Sequence, residues 1–333
     1  MPKKQSKIYF IKELLKLSKK KYKLAYALGG GGAKGLVHIG ILKFLEEKNI
    51  FPDLIVGTSM GSLIGGLYAI EKSSNFVYEK IKKFLDSEYN PETFEAIKSA
   101  DYKEERDEEG FFYSLKRLFA RGVIYSKTFT NLSIISRESF EKDLKLLVPE
   151  YKIEDLKIDF FSISVDLYTG REIVIKGGDL RKSIAASCAI PGVFPPVKSG
   201  KYLLVDGGWV DKNPVLPAKI LGAKKVLCFN CTNTLEKEES FESALSIILR
   251  SDNIATHRLG KIQTLEADFV FKPNLEEIHW VDFDSIDKIV EIGYNYAKET
   301  FNEVEDVLKG KWFEFFTSRK KYEKIEMEFI EIK

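Results

Sequence analysis

The chain has 333 residues, 44% of them apolar and 31% charged, which is the composition of a folded globular protein and not of a disordered or collagen-like one. Its 52 Lys and Arg against 50 Asp and Glu leave a formal charge of +2, which speaks against a nucleic-acid partner for the body of the protein. The charge is uneven: residues 1–23 hold nine Lys and one Glu, so a surplus of eight positive charges there is balanced by a net six negative over the remainder.

Within residues 1–21, Ile8, Phe10, Ile11, Leu14, Leu15 and Leu17 recur at helical spacings among Lys7, Lys12, Lys16, Lys19 and Lys20. A basic amphipathic segment of this kind suits transient contact of residues 1–20 with an anionic membrane surface, or docking on the body with a solvated lysine face. Lys12, Glu13 and Lys16 interrupt the apolar run that a secretory signal needs, and no stretch reaches the roughly 18 apolar residues of a membrane span. Three cysteines are too few for a disulfide framework. The expectation is a cytoplasmic protein, with peripheral attachment at the inner face of the membrane as an added option.

Residues 22–28 read as a short buried strand that ends in Gly29, Gly30, Gly31 and Gly32, and residues 36–48 carry helical periodicity. A second unit follows, with a strand at 53–56, a tight turn from Gly57 to Gly61 and an apolar helix at 62–71. Two successive units of this type predict an α/β fold with a mostly parallel central sheet covered by helices. Residues 73–150 turn to charged helical segments and read as a helical cap or insertion. Strand patterns return at 159–167, 171–175, 202–205 and 225–229, and helical periodicity at 284–308. One domain over residues 22–308 accounts for this order. A tail at 309–333 carries Trp312, Phe313, Phe315 and Phe316, then Arg319, Lys320 and Lys321, then a strand-like alternation of Ile325, Met327 and Phe329.

Three short motifs could carry chemistry. Gly57-Thr58-Ser59-Met60-Gly61 matches G-x-S-x-G between a strand and a helix, where a sharp turn holds a serine out toward a substrate carbonyl. The alternative is a small-residue turn that merely opens a helix. Gly30-Gly31-Gly32-Ala33-Lys34-Gly35 offers bare backbone amides at a helix start, suited to an oxyanion. It also satisfies G-x-G-x-x-G, the dinucleotide fingerprint, with Asp53 standing 21 residues after Gly32; yet Asp53 precedes its strand instead of ending it. Val205-Asp206-Gly207-Gly208 sets an acid at the end of an apolar strand, which is also the composition of an ordinary Asp-Gly turn. The three histidines, His38, His257 and His279, occupy no comparable strand-end turn, so a Ser-His-Asp triad is disfavoured though open. Cys228-x-x-Cys231 lacks a second pair and reads as structural.

Taken in this order, Gly30 to Gly35, Gly57 to Gly61 and Asp206 to Gly208 resemble the patatin-like phospholipase family, supported by Ala189-Ile190-Pro191-Gly192-Val193-Phe194-Pro195-Pro196 and Asn213-Pro214. The resemblance covers residues 22–220 or so. It implies a three-layer α/β/α patatin-like fold and a serine lipid acyl hydrolase acting on carboxylic esters of phospholipids, lysophospholipids or acylglycerols, with no metal and no cofactor. By the same resemblance Ser59 is the nucleophile and Asp206 the general base of a Ser-Asp dyad. Gly30, Gly31, Gly32, Ala33, Lys34 and Gly35 form the oxyanion hole. Gly57, Thr58, Met60 and Gly61 shape the nucleophile elbow, and Gly207 and Gly208 complete the base motif. Lys34 stands where many members carry Arg. A patatin-shaped lipid-binding or regulatory protein with little turnover is the other function these motifs allow. An Asp at its ordinary pKa is a poor base near neutral pH, so the dyad requires a site that raises Asp206. The tract 185–197 is a candidate wall for an acyl chain, or ordinary core.

Overall fold

The computed structural model describes residues 22–86, 132–133, 135–232, 235, 240–241, 244–280, 282–310 and 327–332. The amphipathic segment 1–21, residues 87–131 of the expected cap, and the aromatic and basic groups of the tail lie outside the described residues.

Strand β1 (Leu24–Leu28) is buried at every position and leads through a short 3-10 helix, Gly32–Leu36, into α1 (Val37–Glu47). Strand β2 (Leu54–Thr58), equally buried, leads through Ser59 into α2 (Met60–Glu71). Continuous apolar runs of this kind are what a strand covered on both faces requires. Helices α3 (Ser74–Asp86) and α4 (Arg137–Leu147) flank the undescribed stretch. Then come β3 (Asp159–Asp166), β4 (Glu172–Gly178), α5 (Leu180–Ser187), β5 (Val197–Ser199) and β6 (Tyr202–Asp206). The remaining elements are α6 (Val215–Ile220), β7 (Lys225–Phe229), α7 (Ala244–Gln263), β8 (Phe269–Phe271), α8 (Ile286–Glu299), α9 (Phe301–Lys309) and β9 (Met327–Ile332).

Strands β3, β2, β1, β7 and β8 pair in parallel, in that spatial order. Strands β4 and β6 pair antiparallel with β3, β5 antiparallel with β6, and β9 parallel with β4. The sheet is therefore mostly parallel, as expected, with an antiparallel end. Side chains alternate across it. Tyr26 and Leu28 join Phe160 and Phe229 in a core shared with α1, α2, α5 and α8, whereas Ala25 and Ala27 join Val56 and Phe161 in a second core closed by Val215 and Ala218 of α6. Helices thus cover both faces, and the three-layer α/β/α arrangement is present.

The register around β3 decides where the site forms. Strand β4 pairs with residues 162–165 of β3, overlapping both β2, at 159–163, and β6, at 164–166. Overlapping partners take opposite edges, so β2 and β6 share the other edge of β3. Strand β2 ends at Thr58 opposite Ile163, and β6, running the other way, ends at Asp206 opposite Ser164. The two strands meet end to end, and the residue after one faces the last residue of the other.

The structure departs from the sequence reading in a few elements. Strands β5 and β8, at three residues each, are too short to show a period. The helical stretch at 284–308 is divided at Thr300 into α8 and α9. The alternation around Met327 and Phe329 does form a strand, whose partner β4 no local pattern announces.

Candidate active site

Ser59 has φ 54° and ψ −122°, a backbone region that L side chains rarely adopt and that costs on the order of 1–3 kcal/mol. Its surroundings hold it there. The Ser59 N–H donates to Ser187 Oγ at 2.9 Å, and that hydroxyl donates in turn to the Ile163 carbonyl at 2.6 Å. The Ser59 carbonyl accepts from Ser62 N at 2.8 Å, Leu63 N at 3.1 Å and Cys188 Sγ at 3.3 Å. Thr58 Oγ1 donates to the Asp211 carbonyl at 2.8 Å, which fastens the elbow to the chain beyond Asp206. Gly61 admits no side chain, since a Cβ there would lie 2.1 Å from the Leu28 carbonyl oxygen. That close approach seats the first turn of α2 against the end of β1. Met60 packs on Gly35 and so joins the elbow to the glycine run.

A serine before a helix ordinarily caps it with its side chain. Ser59 does not: no backbone amide of α2 donates to its hydroxyl. The half-buried hydroxyl instead acts on the carboxyl group of Asp206, whose pKa it draws down.

Asp206 is 3% exposed, and its Oδ1 accepts the Gly208 N–H at 2.7 Å in a short 3-10 turn, while Gly207 lies against the Ile163 carbonyl of β3. Burial pushes its pKa up to about 6, opposed by the Ser59 hydroxyl, the Gly208 N–H and the charge of Lys212. The carboxyl is still ionised at neutral pH, but now only about one unit from it. The Asp206 N–H donates to the Ala189 carbonyl at 3.0 Å. With Cys188 on the Ser59 carbonyl, this ties the beginning of the tract 185–197 to both motif residues. Ala185, Ala186, Ala189 and Val193 of the tract belong to the core.

The glycine run lies alongside: a Cβ on Gly30 would stand 3.0 Å from Ser59 Cβ. Its amides are not equivalent, and this narrows the six-residue oxyanion expectation. Gly30 N–H is taken by the Lys212 carbonyl at 3.0 Å and Ala33 N–H by the Trp280 carbonyl at 2.7 Å, while Lys34 and Gly35 lie within the 3-10 helix. Among the described residues, nothing accepts from the N–H groups of Gly31 or Gly32. Gly32 must be glycine, with φ +58° and the Trp280 carbonyl 2.2 Å from where a Cβ would be.

The alternatives left open by the sequence find other uses for their residues. His38 is fully buried and donates from Nε2 to the Gly29 carbonyl at 2.9 Å; burial lowers its pKa to about 4, so it stays neutral and supports the glycine run. His257 sits on α7, its pKa lowered by burial and by Lys261, Lys212 and Lys272. Asp53 Oδ2 accepts the amides of Lys23 and Leu24 at 2.7 and 3.1 Å, at the far end of β1 from the glycines and away from any ribose they could hold. Cys228 and Cys231 are buried, and burial pushes both thiols up, Cys231 to about 11. The Cys231 thiol faces the carbonyls of Gly29 and Gly30. The pair is structural.

Residues 26–219 match the family model described as patatin-like phospholipase. The chain belongs to the patatin-like phospholipase family. Among curated patatin-like relatives, it is 26% identical over 305 residues to patatin-like phospholipase domain-containing protein 6 of Mus musculus, covering 84% of this chain and 20% of that protein. It is likewise 26% identical over 307 residues to lysophospholipase NTE1 of Eremothecium gossypii, covering 85% of this chain and 18% of the relative. The chain thus spans about a fifth of the length of the curated relatives it matches. Among solved structures, VipD from Legionella pneumophila aligns over 85% of this chain and 67% of its own, with a TM-score of 0.44 and 14% identity.

Proposed function

We propose that this patatin-like protein is a serine lipid acyl hydrolase that cleaves carboxylic esters of phospholipids, lysophospholipids or acylglycerols through a Ser59–Asp206 dyad. The observation that carries the reading is the uncapped Ser59 hydroxyl, held in a strained elbow against a buried carboxyl group of raised pKa. The names phospholipase and lysophospholipase borne by its relatives agree with it.

In the proposed cycle Ser59 Oγ attacks the acyl carbonyl while Asp206 takes its proton. The amides of Gly31 and Gly32 receive the oxyanion, and loss of one such donor typically costs about 3 kcal/mol of transition-state stabilisation. Asp206 returns the proton to the departing alcohol, and water activated by the same carboxylate then releases the fatty acid from the acyl-enzyme. A free Asp would face a proton-transfer mismatch of roughly 4 kcal/mol at neutral pH; at a pKa of about 6 it falls to roughly 1.4 kcal/mol. No metal or cofactor enters this chemistry, so turnover is expected to survive EDTA. The proposal also takes residues 22–308 as the catalytic domain with 73–150 as its cap, and a cytoplasmic working site, for which the three free cysteines speak.

The test is profiling of lipid products made by the wild type beside Ser59→Ala, together with fluorophosphonate labelling. Labelling and product release confined to the wild type are expected. Labelling that persists in Ser59→Ala would remove the nucleophile, and lipid binding without turnover in the wild type would favour the non-enzymatic alternative.

A further inference from the structure

Helix α7 carries a surface that the proposed chemistry does not use. Of the fourteen large apolar side chains exposed among the described residues, seven fall between residues 241 and 265. On the helix itself Ile248 and Ile262 are each 63% exposed, Ile247 53%, Ile254 41% and Leu259 36%. At about 100° per residue these five fall within an arc of about 140°, so they form one continuous stripe.

The stripe faces away from the protein, because the other side of the helix is already engaged. The Gly260 carbonyl accepts from Asn213 Nδ2 at 3.2 Å. Gln263 Oε1 accepts the Lys212 N–H at 3.0 Å, and its Nε2 donates to the Val210 carbonyl at 2.7 Å. All three partners lie in the loop that follows Asp206. An amphipathic helix on a soluble body turns its apolar side inward; α7 also carries isoleucines on its outward side.

Charge indicates what covers the stripe. Within α7 the charged residues are Arg250, Arg258 and Lys261 against a single acid, Asp252. Arg258 projects in the middle of the apolar arc, and Arg250 and Lys261 border the same side of it at helical spacing. Long cationic side chains around an apolar stripe are suited to reach lipid phosphates while the stripe enters the acyl region. We infer that α7 is an interfacial helix that seats the protein on an anionic phospholipid bilayer. Because it fastens the loop behind Asp206, docking there brings the rim of the site to the lipid surface. This goes beyond the hydrolytic reading and stands without it, since docking on a membrane needs no turnover.

The test is flotation of the full chain with phosphatidylcholine vesicles containing or lacking phosphatidylglycerol. The wild type is expected to float with the anionic vesicles, and the double variant Ile248→Ser/Ile262→Ser to lose at least about tenfold in bound fraction at an unchanged melting temperature. Arg258→Gln/Lys261→Gln is expected to lower binding to that seen on neutral vesicles. A bimane probe on Ile262→Cys, which leaves the rest of the stripe in place, is expected to shift to the blue on anionic vesicles. Failure of the wild type to float, flotation undiminished in the isoleucine variant, or an unshifted probe would each overturn the inference. So would a wild-type dimer that the isoleucine variant converts to a monomer still able to bind vesicles, because the stripe would then belong to a second copy of the chain.

Discussion

Ser59 and Ser136 both stand immediately before a helix, and their hydroxyls do different things. Ser136, at φ −67° and ψ 153°, is extended and accepts the Ser139 N–H at 3.1 Å, the usual cap. Ser59, at φ 54°, makes no such cap, and its hydroxyl bears instead on the pKa of Asp206. The carboxylates divide in a related way. Asp179 caps α5 through Lys182 N at 2.9 Å and lies exposed, whereas Asp206 closes its turn through Gly208 while buried beside Ser59. Residue type and position relative to a helix are the same in each pair; the backbone set by neighbouring strands separates a stabilising serine from one available for chemistry.

The largest effect expected from this contrast is on rate. Ser59→Ala should lower turnover of a lipid ester by about ten-thousandfold while leaving the melting temperature nearly unchanged, because no cap is lost. A clear drop in stability on this substitution would make Ser59 a structural residue after all.

Asp206→Asn comes next and should move rate and stability in opposite directions. The raised pKa means that the folded protein holds a proton that the unfolded chain releases, so stability falls as pH rises from about 4 to about 6 and stays lower above that. At pH 8 the variant should therefore be more stable than the wild type, by up to roughly 3 kcal/mol in urea melts, and nearly inactive. In the wild type, acylation should rise with pH through about 6; a profile flat from pH 4 to 8 would contradict the role of this carboxylate as base.

A buried acid off the site sharpens the point. Glu172 Oε1 and Asp211 Oδ1 are buried without a hydrogen-bond partner among the described residues; burial raises both, and Glu172 raises Asp211 further. Glu172→Gln should raise the melting temperature more at pH 8 than at pH 5 and leave turnover intact, since only the backbone of Asp211 touches the elbow. The smallest effect belongs to the other serine: Ser136→Ala should cost about 1 kcal/mol in stability with rate unchanged.

Much of this molecule was legible locally. The alternation of Ala25, Tyr26, Ala27 and Leu28 announces a two-faced strand, and the glycines at 29–32 and at 57 and 61 mark where chain must approach chain. The need for a raised Asp206 follows from the chemistry of the proposed dyad alone. Other features had no local signal. Which glycine amides remain open depends on the carbonyls of Lys212 and Trp280, both remote in sequence. Helix α7 makes inward contacts through Gly260 and Gln263, which carry no apolar signal, while an apolar stripe runs along its outward side.

The sequence by itself determined two strand-turn-helix units, an acid at the end of a strand and a mostly parallel sheet, because strand burial and glycine turns are written in neighbouring residues. Only the tertiary structure decided that the strand ends carrying the serine and the acid meet. These ends meet because β2 and β6 run toward each other along one edge of β3, and that registry comes from hydrogen bonding between strands far apart in the chain.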